Sequence, residues 1–593
     1  MKIAVSTFFS AVNSLTFSPA LSGLLLRPKH EQRNPLSRLS NALLGWFFKL
    51  FNRGFNLGAD YYSRGVSLLL RGSFIVLLAY GGLLFLTYVS FTSVPTGFIP
   101  QQDKGYLLVN VRLPDSVSLE RTEAGMAQID EIARGQGTSS NHSVEKNAIG
   151  SNYGFIYVIL DDFHHRHGAD LNADAIAAKL RNACYRDVQE ASVAVFGAPA
   201  VEGLGNAGGF KLMVRDICDL GLDLLQATSE DLVAEGNDRP ALVGFYTAFR
   251  ARTPQMYVDV DRKQCKQMGV PLDEVFLTLQ LYLGGYYTNH FNRFGRTWQV
   301  NLQSDPEFRL TPDQVRQLKV RNSEGEMVPL GSVVKISPTG GPAMIVRYNG
   351  VTAAAVNGGS LPGVSSGTVI STIDTLASRV LPQGMNFQWT ELTLLQILAG
   401  NTAIVVFGLA VVLVFLVLAT QYESLTLPLA VILVVPMCLL SSVAGVAWAG
   451  MDINIFLQIG FVVLVGLTSK NAILIVEFAK EKSAQGASPT DATVEACRLR
   501  LRPIMMTSLA FILGVVPLAL AVGAGAEMRK SLGIAVFSGM LGVTLFGLLR
   551  TPVFYFVIVK LTGDRHGSGK VSRQGHVEND GVSFAEATPL ATS

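Results

Sequence analysis

Seven stretches of this chain are long and apolar enough to cross a bilayer, and their placement constrains the fold more than any other feature. They lie at residues 3–26 and 72–94 near the start, and at 398–420, 425–450, 453–479, 503–524 and 531–559 near the end. About 20 apolar residues as helix cross the ~30 Å hydrocarbon core. Backbone in lipid must satisfy its own N–H and C=O groups, so each stretch reads as a helix. Between the two groups runs a polar, mixed segment of roughly 300 residues, large enough for more than one domain. The fold class expected is therefore an α-helical transmembrane bundle of seven helices carrying a large extramembrane region.

The stretch 3–26 could be taken for a secretory leader, since Lys2 precedes apolar residues and Ser22-Gly23 imitates a cleavage site. Its apolar run is long, is interrupted by Asn13, and passes directly into Arg27, Lys29, Arg33 and Arg38. It reads as a spanning helix whose preceding chain is missing. Lys and Arg at 27, 29, 33, 38, 49, 53, 64 and 71 face only Glu31 and Asp60, which places residues 27–71 in the cytoplasm by the positive-inside rule. The large polar segment then lies outside, and residues 480–502 and the tail after 559, both rich in Lys and Arg, fall inside. Arg529-Lys530, in a short outer loop, is the one dissent, partly offset by Glu527. In the first inner loop Leu36, Leu39, Leu43, Trp46 or Phe47, and Leu50 recur every three or four residues opposite Lys49, Asn52 and Arg53. That spacing predicts an amphipathic helix on the membrane surface, or one packed on other protein.

In the outer segment, strand patterns at 106–113, 155–160 and 192–196 alternate with helix patterns at 118–134 and 173–189. This predicts α/β sandwiches of the split βαβ type. A second series begins at 210–215, continues through a helix near 221–235, and resumes at helix 367–380 and strand 386–389. The interval 245–335 reads as a subdomain inserted into it, with a hairpin at Asn292-Arg-Phe-Gly-Arg296 turned by Gly295. Gly203-Leu-Gly-Asn-Ala-Gly208 matches a dinucleotide fingerprint, but a strand pattern follows it instead of the helix whose N-terminus would bind phosphate. His164, His165 and His167 beside Asp161-Asp162 read as solvated loop, with metal ligation as the alternative. Five scattered cysteines at 184, 218, 265, 438 and 497 imply neither a disulfide framework nor a metal knuckle. No cofactor and no metal is expected. A net charge of +3 over 593 residues gives no reason to expect nucleic acid.

Lys470 sits in the middle of the stretch 453–479. An ammonium there costs about 3 kcal/mol on insertion scales, so a carboxylate partner is required. Residues 3–26, 72–102, 392–422, 424–451, 503–526 and 531–549 contain no Asp or Glu, and Asp452 and Glu477 lie toward the ends of the same helix. The partner is therefore expected outside this chain. A lysine paired with buried carboxylates suits proton coupling, because protonating the acid removes an attraction and the lysine repacks; a purely structural pair is the alternative. Arg500 and Thr507, at the inner end of the next helix, could extend a polar path, although Arg500 could equally be a positive-inside anchor. Arg550 interrupts the last stretch just before Thr551-Pro552, where it must snorkel or pair, unless it signals a damaged gene.

Several motifs, in order and on the predicted spans, resemble one family. They are Pro95-Thr-Gly-Phe-Ile-Pro100 with Asp103 and Gly105, Asn292-Arg-Phe-Gly-Arg296, Gln421-Tyr-Glu-Ser424, Gly466-Leu-Thr-Ser-Lys470-Asn-Ala-Ile-Leu-Ile-Val-Glu477-Phe-Ala-Lys480, and Arg498-Leu-Arg-Leu-Arg-Pro503-Ile-Met-Met-Thr507-Ser. From Thr16 to about Val559 the chain is similar to the hydrophobe/amphiphile multidrug efflux branch of the resistance-nodulation-division superfamily, over its carboxy-terminal half. The resemblance implies a proton-driven exporter of amphiphilic or hydrophobic compounds in the inner membrane, not an enzyme. It implies a homotrimer joined to a periplasmic adaptor protein and an outer-membrane channel, with an amino-terminal half missing here. On that reading, residues 1–26 are the family's sixth helix, 27–71 a cytoplasmic loop, and 72–94 the seventh helix. Residues 95–205 form one periplasmic porter subdomain, 206–244 and 336–391 the two parts of a second, and 245–335 a docking subdomain. Residues 392–562 hold five further helices, and 563–593 a disordered cytoplasmic tail. Lys470, Arg500 and Thr507 match the family's proton relay, in which the lysine pairs with two aspartates on the absent fourth helix. The aromatic-rich segment lining the family's drug pocket is short here, near 147–155, leaving Tyr153, Phe155 and Tyr157 as wall residues, or as aromatics packing the core face of their strand. Three readings stay open beside the pump: a truncated, non-transporting remnant, one half of a split pump, and a periplasmic membrane enzyme, for which no nucleophile–base pair is found.

Overall fold

A computed structural model describes residues 2–25, 35–135 apart from 116, and 151–562 apart from 167, 169, 206, 207 and 401. The tail from 563, the segment 26–34, the loop 136–150 and His167 lie outside the described residues.

Six described helices have the length and composition to cross a membrane: Ser73–Ser93, Thr402–Tyr422, Leu427–Trp448, Ile455–Ala484, Pro489–Ala519 and Ala526–Thr562. The predicted first span is helical from Lys2 to Leu25, with a π-turn at Asn13–Phe17, and is not among these six. Its described side chains are almost all exposed. Hydroxyls compete with its backbone bonds there, Thr16 Oγ donating to the Val12 carbonyl at 2.6 Å. The span 425–450 is likewise not one regular helix. It breaks between Ile432 and Val435, beside Pro436, and the Leu433 carbonyl freed at the break accepts the Tyr80 hydroxyl at 2.7 Å.

Small residues set the close helix crossings, as expected where lipid supplies no hydrophobic drive between helices. A Cβ at Gly533 would lie 2.5 Å from the Ala519 nitrogen, so the helices Pro489–Ala519 and Ala526–Gly542 touch backbone to backbone there. The dissenting Arg529 donates to the carbonyls of Val522 and Ala524, closing the turn between these two helices.

The inner-loop helix is longer than its hydrophobic spacing suggested, running from Pro35 to Arg71, about 55 Å. Its first part exposes Trp46, Leu50 and Phe51, whereas Val66 and Leu70 near its end are buried against Ile475, Cys497, Ile504 and Val553 of the bundle.

Outside the bundle lie two α/β units. The first holds β1 (Tyr106–Arg112), β2 (Tyr153–Ile159) and β3 (Ser192–Gly197) in the order β2-β1-β3, all antiparallel. Helices Leu119–Arg134 and Ala173–Asp187, capped by Ser118 and Asn172, bury Ile129, Ile176 and Leu180 against Leu107, Val109 and Ile156. The second unit pairs β4 (Phe210–Asp216) with β13 (Val351–Ser360) and β14 (Met385–Trp389), and adds β5 (Leu242–Thr247) and β12 (Val346–Tyr348) on β13. Helices Leu222–Asn237 and Ser366–Val380 cover it.

The inserted unit is closed by β6 (Thr253–Val260) pairing with β11 (Val334–Gly341). Because β5 remains in the second unit's sheet to Thr247 and β11 pairs with β6 as far as Gly341, the insertion runs from about 250 to 341, later at both ends than 245 and 335. Inside it, β7 (Tyr286–Arg293) and β8 (Arg296–Leu302) form a hairpin whose side chains are all exposed, and β9 (Lys319–Arg321) pairs with β10 (Met327–Pro329). The hairpin turn is Phe294-Gly295, with φ of 55° and 70°. Left-handed backbone at both positions is the type I′ geometry that matches strand twist.

Candidate functional site

The helix Ile455–Ala484 begins at Asn454, whose side chain accepts from the amides of Phe456 and Leu457 and donates to Ser531 Oγ at 3.0 Å. Asn454 is fully buried, so the start of this helix is pinned to the helix Ala526–Gly542. One face, including Leu457, Phe461, Leu464, Thr468, Ala472, Ile475 and Ala479, is buried in the bundle. The opposite stripe is exposed: Ile459, Val463, Gly466 and Lys470 at three-to-four spacing, then Glu477, two turns on, and Glu481. Lys470 therefore projects from the uncovered face of an otherwise buried helix, and no carboxylate among the described residues pairs with it. Glu477 shares the stripe but stands two turns away, about 10 Å along the axis.

Beside Lys470, Asn471 Nδ2 donates to Ser508 Oγ at 3.0 Å, tying this helix to Pro489–Ala519. Thr507, next to Ser508, therefore stands at the height of Lys470, with its hydroxyl donating back to the Ile504 carbonyl at 3.1 Å. Arg500 lies two turns toward the basic end. Its guanidinium carbon is 3.9 Å from the Phe478 ring centroid, and its buried Nε has no hydrogen-bond partner. The three predicted relay residues thus occupy adjoining helices, Lys470 and Thr507 at one level and Arg500 below them. The Asn471–Ser508 bond, which fixes that level, was missed in the sequence because both residues are common as isolated polar groups in spans.

Arg550 neither snorkels clear of the bundle nor finds an acid. It is half-buried, with Nη1 3.0 Å from Met437 Sδ and its guanidinium carbon 5.1 Å from the Phe546 ring centroid. Close by, Pro552 deprives the Leu548 carbonyl of its helical donor, and the Tyr62 hydroxyl replaces it at 2.7 Å.

In the first α/β unit, Tyr153, Phe155 and Tyr157 alternate with the buried Gly154, Ile156 and Val158, so the three share the sheet face turned away from the helices. They are half-buried and do not form one wall. Tyr153 donates to the Ala248 carbonyl at 3.1 Å and lines a cleft with Phe249, Met344 and Val346. Phe155 and Tyr157 instead pack edge to face on each other, centroids 5.0 Å apart. Asn110 and Arg112 join the same junction, donating to Tyr246 Oη and the Thr247 carbonyl. Burial pushes the Tyr246 phenol above its ordinary pKa.

The histidine loop is organised by Arg166. That guanidinium, 5% exposed, grips Asp103 through two bonds of 2.8 and 3.1 Å, and Asp103 also accepts the amides of Gly105 and Ala173. His164 and His165 are exposed, and no metal-binding cluster occurs among the described residues. Gly203–Gly208 leads into β4, not into a helix.

The AcrB/AcrD/AcrF family model matches residues 1–559. The multidrug/solvent efflux pump membrane transporter MepB of Pseudomonas putida is 34% identical over 94% of this chain and 53% of its own length. A toluene efflux pump membrane transporter, TtgB, of the same species is also 34% identical over the same shares. The multidrug export protein AcrF of Escherichia coli is 33% identical over 93% of this chain and 53% of its own length. The chain thus spans about half the length of the curated relatives it matches. With six membrane-length helices, two α/β units and a family match over nearly all its described length, this chain belongs to the AcrB/AcrD/AcrF family of the resistance-nodulation-division superfamily.

Proposed function

We propose that this chain is the Lys470-bearing part of an inner-membrane, proton-driven efflux transporter of amphiphilic or hydrophobic compounds. The observation that carries the reading is the exposed stripe of the helix Ile455–Ala484, with Lys470 at its centre and no carboxylate among the described residues paired with it, Glu477 being two turns away. A largely buried helix that leaves an apolar run, Ile459 to Gly466, and a mid-membrane ammonium uncovered is suited to receive another helix bearing acids. The relatives named for efflux carry roughly as much chain again as the part matched here, and the acids would come from that part. Protonation of those acids releases Lys470, and Thr507 and Arg500 supply polar groups along the path toward the basic end. Each charge that crosses about 100 mV delivers ~2.3 kcal/mol, so ion flow alone can drive export.

On this reading, residues 2–25 form a seventh span. The two α/β units serve as porter subdomains, with Tyr153 on the wall of a substrate cleft and Phe155 and Tyr157 below it. The inserted unit, with its exposed β7–β8 hairpin, serves as the docking subdomain toward an outer-membrane channel. The assembly would be a homotrimer joined to a periplasmic adaptor. The test is export of an amphiphilic dye from cells producing this chain together with a polypeptide equivalent to the rest of its relatives. Lys470→Met should abolish energised export while leaving the protein in the membrane, and Lys470→Arg should retain part of it. Undiminished export by Lys470→Met would sink the proposal, and no export by the unaltered pair would favour a non-transporting remnant.

A further inference from the structure

The helix Pro35–Arg71 meets Pro489–Ala519 at two polar contacts: Arg498 with Asp60 at 2.8 Å, and Arg502 with Asn52 Oδ1 at 3.2 Å. Between the helices at this point lies an open slot of about 440 Å³ whose described lining residues are Phe51, Gly54, Phe55, Gly58, Leu501 and Met505. Gly54 and Gly58 fall one turn apart on the inward face, and a Cβ at either would meet nothing within 4 Å. The glycines therefore hold the slot open, and it is not the by-product of a tight helix crossing.

Two further features define what fits. The slot walls are apolar, and the helix that forms one of them exposes Trp46, Leu50, Phe51 and Leu57, as a helix seated in the membrane surface does. At the rim, the Arg502 guanidinium stands 5.8 Å from the centroid of the slot-lining Phe55 ring and is exposed. Its single hydrogen bond, to the neutral Asn52 amide, leaves most of a five-donor fork directed at no carboxylate among the described residues. Arg498 is neutralised by Asp60, so the uncompensated charge at this rim belongs to Arg502. An apolar groove beside an unneutralised guanidinium, on a helix expected at the bilayer surface, matches an acyl chain joined to a phosphate.

We infer that the slot between Phe51–Gly58 and Leu501–Met505 is a binding site for an anionic phospholipid, with one acyl chain between the helices and its phosphate on Arg502. The lipid would wedge the surface helix against the bundle and fill a gap that the glycines leave.

The full chain, purified and stripped of lipid in detergent, is titrated with phosphatidylglycerol or phosphatidylcholine, and bound lipid is counted by native mass spectrometry. One phosphatidylglycerol per chain is expected to bind in preference to phosphatidylcholine. Gly54→Leu, or Gly58→Leu if the first variant loses helicity, should remove that lipid by filling the slot. Arg502→Gln should weaken phosphatidylglycerol about fivefold, the contribution of one basic residue near an anionic surface, and leave phosphatidylcholine unchanged. Arg53→Gln, on the opposite side of the same helix, should change neither. Equal retention by the unaltered chain and both folded glycine variants would overturn the site. Equal affinity for the two lipids would overturn the phosphate contact. A photo-crosslinker at position 505 that captures polypeptide and no lipid would assign the slot to a protein segment and overturn the inference.

Discussion

Replacing Asp103 by Ala should open the junction between the membrane helices and the first α/β unit. In the native structure its carboxylate, 15% exposed, holds both arms of a nearly inaccessible Arg166 and two backbone amides. Removing one partner of a buried pair leaves the other charge uncompensated, which costs about 3–5 kcal/mol. The Gly105 and Ala173 amides lie beside a partly exposed carboxylate and can turn to water, so they add little, and about 4 kcal/mol is expected. Hydrogen exchange reads this directly, because opening here should release β1 and the start of the helix Ala173–Asp187 as a local unit. At about 1.4 kcal/mol per decade, their amides should exchange roughly a thousandfold faster, while those in the buried bundle helices keep their rates. Asp103→Asn, which keeps an acceptor but loses the charge, should fall between. The double variant Asp103→Asn/Arg166→Gln should lose less than the sum of its single changes, since each removes the same interaction. Protection in Asp103→Ala within about threefold of the unaltered protein would refute the assignment of Asp103 and Arg166 as the organising pair.

Three other outcomes follow from the packing. Cys218 is exposed while Cys184, Cys265, Cys438 and Cys497 are buried, and burial pushes the Cys184 thiol up to about 11. A membrane-impermeant maleimide applied to the outer face of spheroplasts should label Cys218 alone, and labelling only from the inner face would reverse the topology. Tyr62→Phe should lower the thermal midpoint by removing about 1–3 kcal/mol from the Leu548 carbonyl, and the double variant with Pro552→Ala should regain most of it because the helical N–H returns. An unchanged midpoint for Tyr62→Phe counts against that role. Gly533→Val should destabilise the bundle or prevent its accumulation, because its Cβ would meet backbone, whereas Gly466→Ala, with nothing within 4 Å, should leave the midpoint unchanged. Equal behaviour of the two would contradict the crossing at Gly533.

Periodicity was a sufficient guide where a single environment dictates it. The strands and helices of the α/β units were legible because apolar side chains alternate or recur against one core, and Ser118 and Asn172 mark helix starts by capping. Departures from regular helix were not. Asn13 marked an interruption, but no local signal distinguishes a π-turn there, or at Val543–Gly547, from ordinary apolar helix. The limits of the insertion were misplaced because Phe245 to Thr247 and Ile336 to Gly341 belong to strands whose partners are remote in sequence. At the candidate site, Lys470 was conspicuous because a charge among apolar residues needs a reason. The neighbouring Asn471–Ser508 bond was not, since its meaning lies in the pairing of two helices. Likewise the histidines drew attention by composition, while Arg166 between them carries the structure.

The backbone of Pro95–Phe98 runs alongside Ile453–Ile455 through three hydrogen bonds of 2.9 to 3.0 Å, and the same stretch accepts the Gly367 amide at the Thr96 carbonyl and donates its Phe98 amide to Ser366 Oγ. A short extended ribbon therefore clasps the outer end of the Lys470 helix on one side and the start of a helix of the second α/β unit on the other. Hydrogen bonds at these lengths tolerate only a few tenths of an ångström before weakening. An axial shift of that helix larger than this would have to carry the ribbon with it, and through the ribbon the start of the second unit's helix, as a coupling rod with little slack.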